Sequence, residues 1–379
     1  MDEQKIIAIP VNPIDEPIRE PIPIETDFPI GGPSPEATII VGDGTEEEAQ
    51  FRVDSILPVQ NRIEGSDNPD ILFSTPGDDL VLAKGGNDTI FGSLGNDFYN
   101  GGDGFDTLDY TELGQKITLL PRGLIGNGDS QGSQIQEIER IVGAPRKKNN
   151  IDGSGGSKTP VFFTIDLSED KLVVENTPTF GSVEFVVENF VNVEGTENSD
   201  SIIGDQGKNK LSGNGGNDTL IGKLGKDTLI GGSGNDTLTG TDPSIQNSGV
   251  REKDVLTGGT GADQFILGNE SGSFYDDLGN KDFARITDFS SGDQIQLGRG
   301  ETYNVKQTKQ GFNIFVLEDF SRDLIAKVRI SSGITKGISS AKSVSTDNAF
   351  MESSSDGLLE LSGDINSIIL KDNGFLEVA

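Results

Sequence analysis

Aspartate recurs in this chain with a period of nine, in most copies after a glycine cluster and each time two residues before an apolar side chain. From Gly65 the units are GSDNPDILF, STPGDDLVL, AKGGNDTIF, GSLGNDFYN and GGDGFDTLD, whose sixth residues are Asp70, Asp79, Asp88, Asp97 and Asp106. From Gly195 they are GTENSDSII, GDQGKNKLS, GNGGNDTLI, GKLGKDTLI and GGSGNDTLT, with Asp200, Asn209, Asp218, Asp227 and Asp236 in that place. A degenerate nine, GTDPSIQNS, keeps the count, and GVREKDVLT and GGTGADQFI return to register with Asp254 and Asp263. Glycines such as Gly86, Gly95, Gly104, Gly216, Gly225 and Gly234 permit positive φ, so successive carbonyls can turn inward with no Cβ in the way. A carboxylate beside inward carbonyls is a set of hard oxygens, the donors that calcium takes at about 2.3 to 2.6 Å. The chemistry on offer is the holding of several calcium ions by these aspartates and glycine carbonyls.

Composition narrows the alternatives. Sixty-two acidic residues against thirty basic ones give a formal charge of −32, which repels polyanions and argues against a nucleic-acid partner. A compensating cation is the partner such a charge calls for. With no histidine and no cysteine, the chain cannot build zinc, copper, haem or iron–sulfur sites, a histidine-based triad or a thiol nucleophile. HExxH does not occur and no histidine is present to act as a base, and the reading is of a protein that is not an enzyme. Carboxylate-only hydrolysis stays open on composition, because it needs only two acids about 5 to 9.5 Å apart. No run of about twenty apolar residues is present, so no membrane-spanning segment is expected. The first thirty residues lack an apolar signal core, so export is expected without a cleaved N-terminal signal.

The elements that must position the aspartates follow from the same nine residues. Each unit reads as a six-residue turn and a three-residue strand. Its eighth position is apolar: Leu72, Val81, Ile90, Tyr99 and Leu108, then Ile202, Leu211, Leu220, Leu229, Leu238, Leu256 and Phe265. Strand side chains alternate faces, so such a strand buries one residue and exposes its two neighbours. Two units wound back to back make a coil, and neighbouring coils must cover its faces. Parallel strands lie about 4.7 to 4.9 Å apart. Asp70, Asp88 and Asp106 then fall on one edge of the stack, and Asp79 and Asp97 on the other. In the second block the count gives Asp200, Asp218, Asp236 and Asp254 on one edge and Asn209, Asp227, Ile245 and Asp263 on the other. The first of these edges is expected to be the better occupied, with residues 240–248 bulging as a loop. Like charges about 5 Å apart repel by roughly 0.8 kcal/mol in water and several times more when partly desolvated. Such columns should not close without a cation.

The rest of the chain divides around the repeats. Nine of the sixteen prolines precede residue 59, so residues 1–57 read as an extended, disordered arm. Residues 58–110 form the first repeat block and 195–268 the second. The blocks open alike, IEGSDNPD and VEGTENSD, which implies an internal duplication. The intervening 111–194 carries strand-like runs such as VFFTIDLSEDKLVV, and 269–330 reads as a C-terminal β cap.

These units resemble the RTX nonapeptide GGxGxDxUx over thirteen consecutive-phase nines, about 117 residues. ITDFSSGDQIQL also resembles the cap that follows the repeats in serralysin-like C-terminal domains. The resemblance implies an all-β chain: a right-handed parallel β-roll, or solenoid, in two repeat blocks with intervening and C-terminal β-strand caps and calcium between turns. It further implies an extracellular location and export by type I secretion machinery that reads an uncleaved C-terminal signal, for which 331–379 is the candidate segment. The units at Gly65, Gly195 and Gly249 lack the second and fourth glycines and are expected to be incomplete sites. The favoured function is structural or adhesive, with cell-surface or matrix components as partners. The alternatives are a calcium-stabilised module that recognises a glycan or protein, and a repeat-bearing hydrolase that uses carboxylates only.

Overall fold

One apolar residue in nine leaves each unit with a single side chain to bury, and the chain arranges them in register. The computed structural model describes residues 61–331 apart from 127–131, 156–160, 178–180, 246–247, 277–278, 300 and 318–321, together with strands Val344–Ser345, Leu358–Glu360, Ile368–Lys371 and Phe375–Val378. The arm expected over 1–57 and most of the signal expected over 331–379 lie outside the described residues. Among the described residues, successive repeat strands alternate between two large sheets of sixteen and fifteen strands, and within the repeats every pairing is parallel. This is the parallel β-roll expected from the nine-residue period, and the described residues contain no α-helix.

The eighth-position side chains make the core. Leu220 pairs with Leu238 in one sheet and Leu211 with Leu229 in the other, so each sheet carries an unbroken apolar ladder facing its partner. Val81, Ile90, Tyr99, Leu108, Ile202, Leu211, Leu220, Leu229, Leu238, Leu256 and Phe265 are all fully buried. Leu72, in the first strand of its sheet, is only partly covered. Flanking positions stay half-exposed, as a three-residue strand requires.

Both sheets run without a break from the first block into the second. In the sixteen-strand sheet, Thr118–Leu120, Leu124–Gly126 and Ser133–Gln136 pair antiparallel between the blocks. In the other sheet the bridge is the antiparallel trio Phe162–Asp166, Lys171–Thr177 and Gly181–Glu188. Asp166 turns its first hairpin by accepting from the Ser168 amide, and Asp170 closes it in the left-handed region at φ 55°. Both insertions extend the ladder and leave the roll axis continuous. At the C-terminal end, parallel winding gives way to antiparallel strands Thr302–Gln307, Gly311–Leu317 and Arg322–Ile330. Phe265, Phe289 and Phe312 pack in sequence there, the first pair tilted and the second edge to face, with ring centroids 6.2 and 5.9 Å apart.

The degenerate nine leaves the stack. Thr228 pairs with Val255 and Thr237 with Gln264, steps of twenty-seven residues where the other repeats step by eighteen. This corrects the column assignment made by counting. With nine residues expelled, Asp263 continues the Asp200, Asp218, Asp236 column, and Asp254 continues Asn209 and Asp227. Ile245 belongs to neither and is 45% exposed.

Shortening a ladder residue should cost far more than shortening its neighbour. Leu229→Ala is expected to lower stability in saturating calcium by about 2 to 5 kcal/mol. Ile230→Ala, half-exposed one residue on, should cost well under half of that. Urea unfolding of the two variants measures the difference, and equal losses would contradict the ladder as the main apolar core.

Candidate metal centre

Each repeat aspartate sits where the backbone enters the sheet, at the last turn position before its strand or, for Asp79, at the first strand residue. Oδ1 of Asp79 accepts from the Asn61 side chain at 2.7 Å, and that of Asp200 from the Phe163 amide at 2.5 Å. In all the others but Asp70, Oδ1 accepts a hydrogen bond from the amide of the equivalent residue one coil earlier. The Asp70, Asp88, Asp200 and Asp218 amides donate in this way to Asp88, Asp106, Asp218 and Asp236 at 2.7 to 2.8 Å. On the opposite edge the Asp79, Asn209 and Asp227 amides donate to Asp97, Asp227 and Asp254 at 2.8 to 2.9 Å. The structure thus brings the aspartates into two columns, each a chain of amide-to-carboxylate bonds. One edge leads into the fifteen-strand sheet through Asp70, Asp88 and Asp106, then Asp200, Asp218, Asp236 and Asp263. The other leads into the sixteen-strand sheet through Asp79 and Asp97, then Asn209, Asp227 and Asp254.

The second carboxylate oxygen divides them. Oδ2 of Asp88, Asp106, Asp218, Asp227, Asp236 and Asp263 is buried and has no hydrogen-bond partner among the described residues. A bare buried anionic oxygen is costly unless something cationic meets it. In Asp70, Asp79 and Asp200 the same atom accepts from the amide of the residue four before it, Ser66 at 2.5 Å, Thr75 at 2.5 Å and Thr196 at 2.6 Å. Their hydroxyls add further bonds. Asn209 is neutral and satisfied at both ends, accepting from the Asp205 amide and donating to the Val191 carbonyl.

Backbone conformation at the second position of the unit separates the two groups. Where Oδ2 is bare, that residue is left-handed: Lys84 at φ 82°, Gly102 at 91°, Asn214 at 71°, Lys223 at 67°, Gly232 at 121° and Gly259 at 106°. Ser66, Thr75, Thr196 and Asp205 are not, and their amides close onto the carboxylate or amide oxygen instead. Serine, threonine and aspartate favour such local turns, whereas glycine and asparagine tolerate the left-handed region. The choice between a bare and a capped carboxylate is written at this one position.

The fourth-position glycines complete the cradle. Gly86, Gly95, Gly104, Gly216, Gly225 and Gly234 all have positive φ between 103° and 148°. A Cβ on Gly104 or Gly234 would overlap the carbonyl oxygen of Gly86 or Gly216 one coil earlier. Main-chain carbonyls therefore crowd the space between turns. Among the described residues no three acidic side chains converge, so an ion held here would draw its remaining oxygens from main-chain carbonyls. Bare anionic oxygens, carbonyls and the absence of nitrogen or sulfur donors fit a hard divalent cation, calcium above all.

Burial moves these acids strongly. It pushes the Asp227 carboxyl up to about 8 and Asp218 to about 7. Asp106 and Asp263 rise to about 6, again chiefly through burial, with neighbouring acids adding to it. Asp88 and Asp236 shift upward for the same first reason. Three further residues act in the columns. The Asp106 amide donates to Glu139, the Asp97 amide to Ser133, and the Asp263 amide to Asp293. Asp293 could have been found, since SGDQIQL repeats the Gly-Asp-strand signature. Glu139 and Ser133 follow insertions and carry no periodic signal.

A model of the RTX calcium-binding nonapeptide repeat matches the chain in four copies, over residues 73–108, 194–229, 221–242 and 249–271. The chain therefore carries RTX calcium-binding repeats, and all six bare carboxylates lie within the matched residues. Among solved structures, the extracellular lipase LipA from Serratia marcescens is similar over 72% of this chain at 17% identity, with a TM-score of 0.21. This chain spans 38% of that lipase's length. Among curated proteins none matches.

Two measurements follow from this geometry. A carboxyl whose folded value is raised contributes stability to the metal-free roll below about pH 4, and that contribution is lost as pH rises through about 6 to 8. Calcium and protons therefore compete, and the calcium midpoint followed by tyrosine fluorescence should be markedly higher at pH 5 than at pH 8. A midpoint unaffected by pH would contradict the burial of these acids. Gly234→Ala, which forces a Cβ onto the Gly216 carbonyl at φ 127°, should cost on the order of 3 kcal/mol in calcium-saturated urea unfolding. A neutral substitution would show that the turn is looser than described.

Proposed function

We propose that this is an exported, non-enzymatic structural protein whose roll closes on calcium outside the cell, with an adhesive role at a cell surface or in the matrix. The observation that carries the reading is the set of six buried, bare Oδ2 atoms stacked in columns on a chain of charge −32. When bound, calcium supplies positive charge and oxygen coordination. The chain's own residues do the rest: the Oδ1 ladder fixes each carboxylate, the left-handed second position leaves Oδ2 bare, and the glycines let the coils approach.

Magnitudes explain why this works as a folding control. A site with free calcium at ten times its dissociation constant stabilises the folded chain by about 1.4 kcal/mol. Several sites together approach the whole stability of a typical domain, about 5 to 15 kcal/mol. Extracellular calcium modules bind at about 10⁻⁴ to 10⁻³ M, far above cytosolic free calcium. The chain would stay open inside the cell, pass through a narrow exporter and close outside. The missing histidine, cysteine and HExxH support a non-enzymatic role.

A second reading, a calcium-stabilised binding module, draws on one feature of the first coil. Ile71 and Phe73 are 67% and 63% exposed, and Phe73 stacks on Phe91 at 4.9 Å. A Phe73→Ser variant that folds with calcium and adheres to cells and matrix as well as the parent would dismiss it.

Limited proteolysis of the full chain tests the main proposal. At sub-micromolar calcium the repeats should be cleaved throughout, and at millimolar calcium residues 61–331 should survive. Equal resistance in both conditions would sink the reading.

A further inference from the structure

Two repeat aspartates have a partner that the others lack. The Tyr99 hydroxyl donates to Asp97 Oδ2 at 2.6 Å, accepts from the Ser93 amide at 3.2 Å and lies 3.1 Å from Ser74 Oγ. The Tyr275 hydroxyl donates to Asp254 Oδ2 at 2.6 Å. In each case Oδ1 already takes the ladder amide, from Asp79 and Asp227 respectively. Both oxygens of both carboxylates are therefore satisfied by the protein itself. All four groups are fully or almost fully buried, so these bonds are sheltered from water.

The tyrosines reach their places by different routes. Tyr99 stands at the eighth position of its unit, where the other repeats bury an aliphatic residue or Phe265, and its added hydroxyl spans the gap to the carboxylate. In its unit the second-position amide of Ser93 bonds the tyrosine oxygen at 3.2 Å, where Thr75 and Thr196 bond the aspartate directly. Tyr275 comes from beyond the repeats. Its ring and hydroxyl pack so closely that a Cβ on Gly249 or Gly240 would meet them; Gly240 opens the expelled nine and Gly249 follows it.

Position along the roll gives the pair a common role. Both lie on the edge leading into the sixteen-strand sheet, and both adjoin an interruption there. Beyond Asp97 the next amide partner is Ser133, thirty-six residues on. Asp254 follows the expelled nine, twenty-seven residues after Asp227.

We infer that the Tyr99 and Tyr275 hydroxyls take, at Asp97 and Asp254, the place that a cation takes at the six bare carboxylates, making two metal-free clamps at the breaks in one edge of the roll. The inference rests on the calcium reading above. It divides the eleven repeat aspartates by function: six hold metal, three are capped by second-position amides, and two are clamped by tyrosine.

Crystals of the full chain grown with calcium test it through anomalous difference density. Peaks are expected beside Asp88, Asp106, Asp218, Asp227, Asp236 and Asp263, and none within coordination distance, about 2.6 Å, of Asp97 or Asp254. Titration calorimetry of the full chain with calcium chloride gives the solution counterpart. Asp97→Asn and Asp254→Asn should keep the parental stoichiometry, while Asp218→Asn and Asp236→Asn should each bind fewer ions. A calcium peak on Asp97 or Asp254, or a stoichiometry that falls in Asp97→Asn as it does in Asp236→Asn, overturns the clamps and leaves calcium binding intact. No peak beside any repeat aspartate sinks the calcium reading and the clamps with it. Should either clamp variant fail to fold, the map of the parent decides alone.

Discussion

Stacked carboxylates half-satisfied by the backbone are the constraint on which this structure depends. Eight of the eleven repeat aspartates present Oδ1 to the coil before, where the ladder amide holds it at hydrogen-bond distance. That bond sets the rise between coils and the register of both sheets, because the strand begins at the next residue. It also commits the side chain to burial before its charge has been met. Six Oδ2 atoms remain exposed to nothing but protein. The apolar ladder pulls the coils together while the carboxylates hold them apart, and the balance between them is where a cation acts.

The chain handles that conflict in several ways, and the choice tracks position. Near the N-terminal end of the stack and at the start of the second block, serine or threonine amides fill Oδ2. Asparagine replaces the acid where an edge resumes after the intervening strands. Tyrosine hydroxyls serve beside the interruptions. Bare carboxylates dominate where the glycine-rich turns follow one another, and five of the six lie on the edge leading into the fifteen-strand sheet. A roll organised in this way has fixed points that need no metal and spans that do.

Much of this was legible in the sequence because period nine ties chemistry to geometry. The eighth-position residues from Val81 to Phe265 are the core because a three-residue strand can bury only its middle member. The columns of the first block followed from the same count. The second block went wrong at one place: residues 240–248 were expected to bulge, yet their nine was still counted in the columns, which put Asp254 and Asp263 on each other's edge. GTDPSIQNS did carry a sign: its eighth residue is Asn247, with nothing apolar to bury. The division among aspartates was harder to see. It turns on the sign of φ at residues such as Lys84, Lys223 and Asn214, which have no glycine to announce it. The reach of Tyr275 to Asp254, twenty-one residues back, depends on how the expelled nine folds away, and no local pattern encodes that.

Far-ultraviolet circular dichroism joined to small-angle scattering, on the whole chain first in excess chelator and then with millimolar calcium, tests the central claim most directly. The account predicts an expanded chain with little β signal that contracts and gains parallel-sheet signal when calcium is added. A compact chain with the same β signal in both conditions would contradict it, because the buried carboxylates would then have closed without their cation.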